Sequence, residues 1–138
     1  MLAQALGLAY ISPMKRSILL HPDPRLKKMA KPVADLSDDL RLLADDMLRT
    51  MYEAPGIGLA APQIGVLDRL IVLDCVKEEG EKPRPMVMFN PRILAGSDEE
   101  NTYEEGCLSL PDLYADVTRP KVVDVEWMDR NGNPQSET

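Results

Sequence analysis

Three side chains in this 138-residue sequence stand out for chemistry: Gln63, Cys107 and His21, the only histidine. Gln63 closes the segment Gly56-Ile57-Gly58-Leu59-Ala60-Ala61-Pro62-Gln63. The glycines alone signal tight turns. Small residues followed by an amide, however, let two backbones approach closely and place a donor where oxyanion charge can develop. A buried structural glutamine is the competing reading. Cys107 lies in Glu105-Gly106-Cys107-Leu108-Ser109, just after the acidic pair Glu104-Glu105. A lone cysteine usually serves as a small hydrophobe, and carboxylates beside it disfavour a free thiolate nucleophile. A divalent metal would reverse that by deprotonating the thiol. A metal site needs more than one ligand, and His21 lies far from both segments in sequence.

The elements that must position these residues are partly legible. Ser37 is a good N-cap, and Asp38 and Asp39 suit the positive end of a helix. Leu40, Leu43, Ala44, Met47, Leu48 and Met51 then recur at helical spacing, so a helix is predicted near 37–53. Pro55 and Gly56 end it and deliver the glycine-rich loop directly. His21-Pro22-Asp23-Pro24 reads as an extended turn. Arg69 to Cys75 is predicted as a strand buried on both faces, and Met86 to Asn90 as a second short strand with Pro91 at its edge or end. Gly96 to Glu100 reads as a polar loop. Val123, Val125 and Trp127 alternate with polar neighbours before Asp129-Arg130-Asn131-Gly132, a hairpin turn whose return strand is predicted to barely begin. That leaves Val123 to Trp127 as an unpaired edge.

Length and composition bound the rest. A chain of this size with 44% hydrophobic residues supports one core. A net charge of −7 argues against binding to a phosphate backbone, so nucleic acid is not an expected partner. Cys75 and Cys107 form no disulfide framework, which suits a reducing, cytoplasmic setting. Met1 to Pro13 lacks the basic start of a signal peptide and is too short to span a bilayer. Residues 1–13 are expected to be a loose extension, with Met14 an alternative start, and residues 14–138 to form the domain.

Taken together, the two segments resemble the peptide deformylases. The family's first motif, Gly-x-Gly-x-Ala-Ala-x-Gln, is matched from Gly56 to Gln63, and its second, Glu-Gly-Cys-x-Ser, from Glu105 to Ser109. The similarity also takes in His21 to Leu26, the helix near Leu40 to Met51, Ile71 to Asp74, Phe89-Asn90-Pro91 and Arg119-Pro120. It implies an α+β, peptide-deformylase-like fold and hydrolysis of the formyl group from N-formylmethionine of nascent peptides. It further implies Cys107 as a metal ligand and the Gln63 amide and Leu108 backbone amide as catalytic oxyanion donors. Gly56, Ile57, Gly58 and Glu105 would shape the substrate site. The implied metal is Fe(2+), with zinc, nickel or cobalt able to replace it, and the implied partners are N-formylmethionyl peptides, including ribosome-associated nascent chains.

One departure is large. The family's third motif, His-Glu-x-x-His, sets two imidazoles on one helix face around a general acid/base carboxylate. No such segment occurs here, and His21 stands where the family has no ligand. The expectation is a truncated, incomplete domain without the central metal-binding helix, retaining little metal and inactive or nearly so. The alternative is a non-catalytic remnant that binds peptides or another protein.

Overall fold

A computed structural model describes residues 13–76 and 79–138. Apart from Pro13, the expected N-terminal extension lies outside the described residues. Helix α1 (Asp38–Glu53) begins where the sequence indicates: the Ser37 hydroxyl accepts from the Leu40 amide at 3.2 Å. It ends as Ala54 N–H bonds the Thr50 carbonyl (3.0 Å) and Gly56 N–H the Met51 carbonyl (2.7 Å), which turns the chain sharply into the glycine loop. Its inward face is Leu43, Ala44, Met47 and Met51, with Asp46 and Thr50 also buried. The polar pair is satisfied: Asp46 accepts from Met14 N (2.7 Å) and Arg16 Nε (3.0 Å), and Thr50 Oγ1 accepts from Arg16 N (2.8 Å). These bonds strap the segment after Pro13 onto the helix.

The helix packs on strands β1 (Gly58–Ala60) and β2 (Leu70–Leu73). They belong to an antiparallel sheet completed by β3 (Met86–Gly96), β6 (Val123–Met128) and β7 (Pro134–Glu137), in the order β1-β2-β3-β6-β7. Leu59, Leu70, Val72 and Phe89 meet the helix face, with Val33 and Ala61 closing the cluster. The intervening β4 (Glu100–Cys107) and β5 (Leu110–Pro120) form a separate two-stranded hairpin.

Several elements differ from their sequence-based expectation. In β2, fully buried Leu70 and Val72 alternate with half-buried Ile71 and Leu73, so one face is more open than expected. β3 runs on through Pro91 to Gly96, and the register shifts between Phe89 and Arg92. The proline is accommodated there because a bulge releases its ladder bond. Asn90, at φ 52, instead pairs by its side chain with Val33 N–H (2.8 Å) and carbonyl (2.9 Å). The turn at 129–132 forms with Gly132 at φ 85, and β7 pairs from Val125↔Glu137 to Met128↔Pro134. β6 is therefore flanked by β3 and β7 and is not the unpaired edge; among the described residues the open edges of this sheet are β1 and β7. The turn docks on α1 through Arg130, which grips Asp45 at 2.7 and 3.0 Å.

The β4–β5 hairpin has no counterpart among the sequence-based expectations. Its base is closed by Lys121 N–H to the Glu99 carbonyl (2.8 Å), next to the Ser97 N–H to Val122 carbonyl bond (2.8 Å) that continues the β3–β6 pairing. Its tip is held by Leu108, which packs against the core cluster, and by buried Ser109. Most of β5 is exposed, including Leu113 and Tyr114.

Candidate active site: an amide clamped between two loops

After α1, β1 places Gly58 and Leu59 in the sheet. A 3-10 turn at Ala61–Ile64 then swings the Gln63 side chain back over Ala60. Gln63 Oε1 accepts the Ala60 N–H at 2.9 Å, the reach-back half of a capping box. That contact identifies the oxygen and leaves the amide nitrogen pointing the other way. Gln63 Nε2 donates to Ser109 Oγ at 3.2 Å and lies 3.7 Å from Cys107 Sγ. The backbone repeats the link: Leu19 N–H bonds the Gln63 carbonyl (2.7 Å), and His21 N–H the Ser109 carbonyl (2.8 Å). Two motifs 44 to 46 residues apart are thus joined through one side chain.

Leu108 and Ser109 form the turn between Cys107 and Leu110, which are paired across the hairpin. Gly56 sits directly against Leu108; a Cβ there would fall 2.8 Å from Leu108 Cδ1. Ile57 is 56% exposed, and its carbonyl accepts from Asp74 N–H (2.9 Å). Gly58 is exposed on β1, whose outer edge carries no strand among the described residues. Cys107 is a free, exposed thiol, as is Cys75. Glu105, on β4, is gripped at both oxygens by Arg119 at 2.7 and 2.8 Å, and that hydrogen bonding holds its carboxyl below the usual range.

The structure therefore gathers Gln63, Cys107 and the 108–109 turn at one place, with Gly56 against Leu108. Glu105 is engaged with Arg119. His21 reaches the site through its backbone N–H, and its side chain is exposed. Among the described residues, no three or more His, Cys, Asp or Glu side chains are grouped to hold a metal ion. Sequence reasoning assigned no part to Ser109, Ala60 N–H or Arg119. Ser109 lies within the second motif and Arg119 in the Arg119-Pro120 stretch, but contacts 46 and 14 residues apart leave no local signal.

A second polar pair lies beyond the loop. Tyr52 donates to Asp74 at 2.6 Å. Desolvation, then this bond, pushes the Tyr52 phenol up to about 12, while the Tyr52 hydroxyl bond keeps the Asp74 carboxyl below its ordinary value.

Residues 15–138 match the family model for polypeptide deformylase. A peptide deformylase from Rhizobium meliloti is 53% identical over 121 residues, covering 88% of this chain and 69% of the relative. Among solved structures, a peptide deformylase from Legionella pneumophila superposes with a TM-score of 0.81 at 46% identity, over 89% of this chain and 70% of that one. The peptide deformylase from Ehrlichia chaffeensis in complex with actinonin gives a TM-score of 0.84 at 36% identity, over 89% and 73%. The chain thus spans about 70% of the length of these relatives. The fold is peptide-deformylase-like, and the chain belongs to the polypeptide deformylase family.

Proposed function

We propose that residues 14–138 supply the peptide-binding and oxyanion-stabilising part of a site for N-formylmethionyl peptides in the cytoplasm, nascent chains among them. We further propose that this 138-residue polypeptide, acting alone, binds such peptides without appreciable turnover. The observation that carries the reading is the Gln63 amide. Its oxygen is taken by Ala60 and one nitrogen hydrogen by Ser109, while the remaining donor faces Cys107 through a long, weak contact. A substrate oxygen arriving there would meet a donor already fixed in place, which is the requirement for oxyanion stabilisation.

The edge of β1, unpaired among the described residues, supports the binding half. Exposed Gly58 has no side chain to obstruct an extended peptide, and main-chain bonds to an edge strand are sequence-tolerant. The Leu108 amide, in the turn beside Cys107, is the second proposed oxyanion donor. Gly56 lets Leu108 sit close, and Ile57 offers an exposed apolar surface to the peptide.

Bound Fe(2+), or zinc, nickel or cobalt in its stead, would supply an activated water in a complete site. The donors among the described residues do not fit such an ion unaided. Catalytic zinc sites use three protein ligands, and here the neighbour of Cys107 Sγ is the Gln63 amide nitrogen at 3.7 Å, while among the described residues no three or more His, Cys, Asp or Glu side chains are grouped to hold an ion. Binding and turnover are therefore separate predictions. Calorimetric titration with a short N-formylmethionyl peptide, its N-acetyl counterpart and actinonin tests the first. Saturable binding that prefers the formylated peptide is expected; no saturable binding of any of the three would refute it.

A further inference from the structure

We infer that Ser109 is a positioning residue for Gln63, orienting the amide so that its free hydrogen is directed at the Cys107 side of the site. This deepens the proposed function and rests on Gln63 acting as the oxyanion donor.

A glutamine side chain on a surface loop rotates freely about its last torsion, which is broad and nearly two-fold. One contact, Ala60 N–H to Oε1 at 2.9 Å, anchors the oxygen but leaves the amide plane able to pivot about it. The bond from Nε2 to Ser109 Oγ at 3.2 Å is the second anchor, and two anchors fix a plane. A primary amide has two N–H donors. Ser109 takes one, so the other lies on the Cys107 side, where Sγ is 3.7 Å away. Sulfur is a weak acceptor, and a substrate oxygen can replace it without breaking either anchor.

Ser109 is itself well placed to impose this. It is only 4% exposed, and its carbonyl accepts the His21 N–H at 2.8 Å, tying the turn to a second segment. An exposed serine would exchange Gln63 for water; a buried one has Gln63 as its partner in the structure. Alanine would preserve the backbone bond to His21 and remove only the acceptor.

The test is side-chain 15N relaxation of the Gln63 amide, assigned by its loss in Gln63→Glu, together with backbone relaxation of Ala60 and Ile64. In the wild type the Gln63 amide is expected to be as ordered as rigid backbone, with an order parameter of about 0.85. In Ser109→Ala it is expected to fall below about 0.6 while the Ala60 and Ile64 backbone values hold. A merely structural serine would lower the thermal midpoint without selectively freeing that amide. Where Ser109→Ala does not fold, near-isosteric Ser109→Cys under reducing conditions carries the same readout, since its sulfur is a poorer acceptor. A Gln63 amide that stays rigid in the folded variant, or is already mobile in the wild type, overturns the assignment. Because no substrate enters the experiment, a released amide in a protein that binds no formylated peptide would uphold the positioning role and sink only the proposed function.

Discussion

Replacing Gln63 with alanine removes both anchors at once, and the cost can be worked from its contacts. Ala60 N–H loses an acceptor at 2.9 Å in a half-buried setting, and Ser109 Oγ, on a residue 4% exposed, loses its donor. A typical hydrogen bond contributes about 0.5–1.5 kcal/mol net, and a buried group left without a partner costs about 1–3 kcal/mol. The half-buried amide recovers part of this from water, and the sulfur contact at 3.7 Å adds little. The expected destabilisation is therefore about 2 kcal/mol, or roughly 6–10 °C in thermal midpoint for a domain of this size. Gln63→Glu separates the two ends. A carboxylate oxygen still accepts from Ala60 N–H, and the Ser109 hydroxyl can rotate to donate, so the cost falls to about 1 kcal/mol or less at neutral pH. Urea unfolding at constant m-value reads both numbers. A cost below about 0.5 kcal/mol for Gln63→Ala, or equal costs for the two variants, would refute the two-anchor account.

Three further outcomes follow from the same structure. Phe89, fully buried where β3 meets the helix cluster, is expected to cost about 3–5 kcal/mol on replacement by alanine, read by the same urea titration. Gly56→Ala and Gly106→Ala each place a Cβ 2.8 Å from a neighbour, but Gly56 meets Leu108, which packs on the core, whereas Gly106 meets the exposed ring of Tyr114. Gly56→Ala should weaken peptide binding about tenfold or more by displacing the 108 turn, and Gly106→Ala should leave it near wild type, as calorimetry can distinguish. Tyr52→Phe removes the bond that lowers Asp74. The wild type's advantage over the variant should be complete above the unfolded carboxylate value of about 3.9 and shrink as pH falls through the lower folded value. At the alkaline end, the phenol raised to about 12 contributes stability below about 10 that is lost as pH rises towards 12. Unfolding midpoints of both proteins across pH check each limb, and a gap independent of pH would count against the pair.

How much was legible in the sequence follows from how local each signal is. Helix α1 was readable because Ser37, its two aspartates and the apolar repeat all lie on one short segment, and Asp129 to Gly132 because a turn is a local object. The β4–β5 hairpin was not: with Glu100, Glu104, Glu105, Asp112 and Asp116 among largely exposed residues, it lacks the apolar alternation that marks a strand with one buried face. The continuation of β3 through Pro91 was hidden because proline ordinarily ends a ladder, and only the register shift beside Asn90 makes room for it. At the site, motif resemblance supplied Gln63 and Cys107, but the Ser109 anchor spans 46 residues and no pattern within either segment encodes it.

Formate release by the purified 138-residue polypeptide, measured alongside its bound metal, tests the central claim most directly. The account predicts saturable binding of an N-formylmethionyl peptide with no formate above the uncatalysed background and no stoichiometric ion. Multiple turnovers from a preparation carrying one tightly held metal per chain would contradict it.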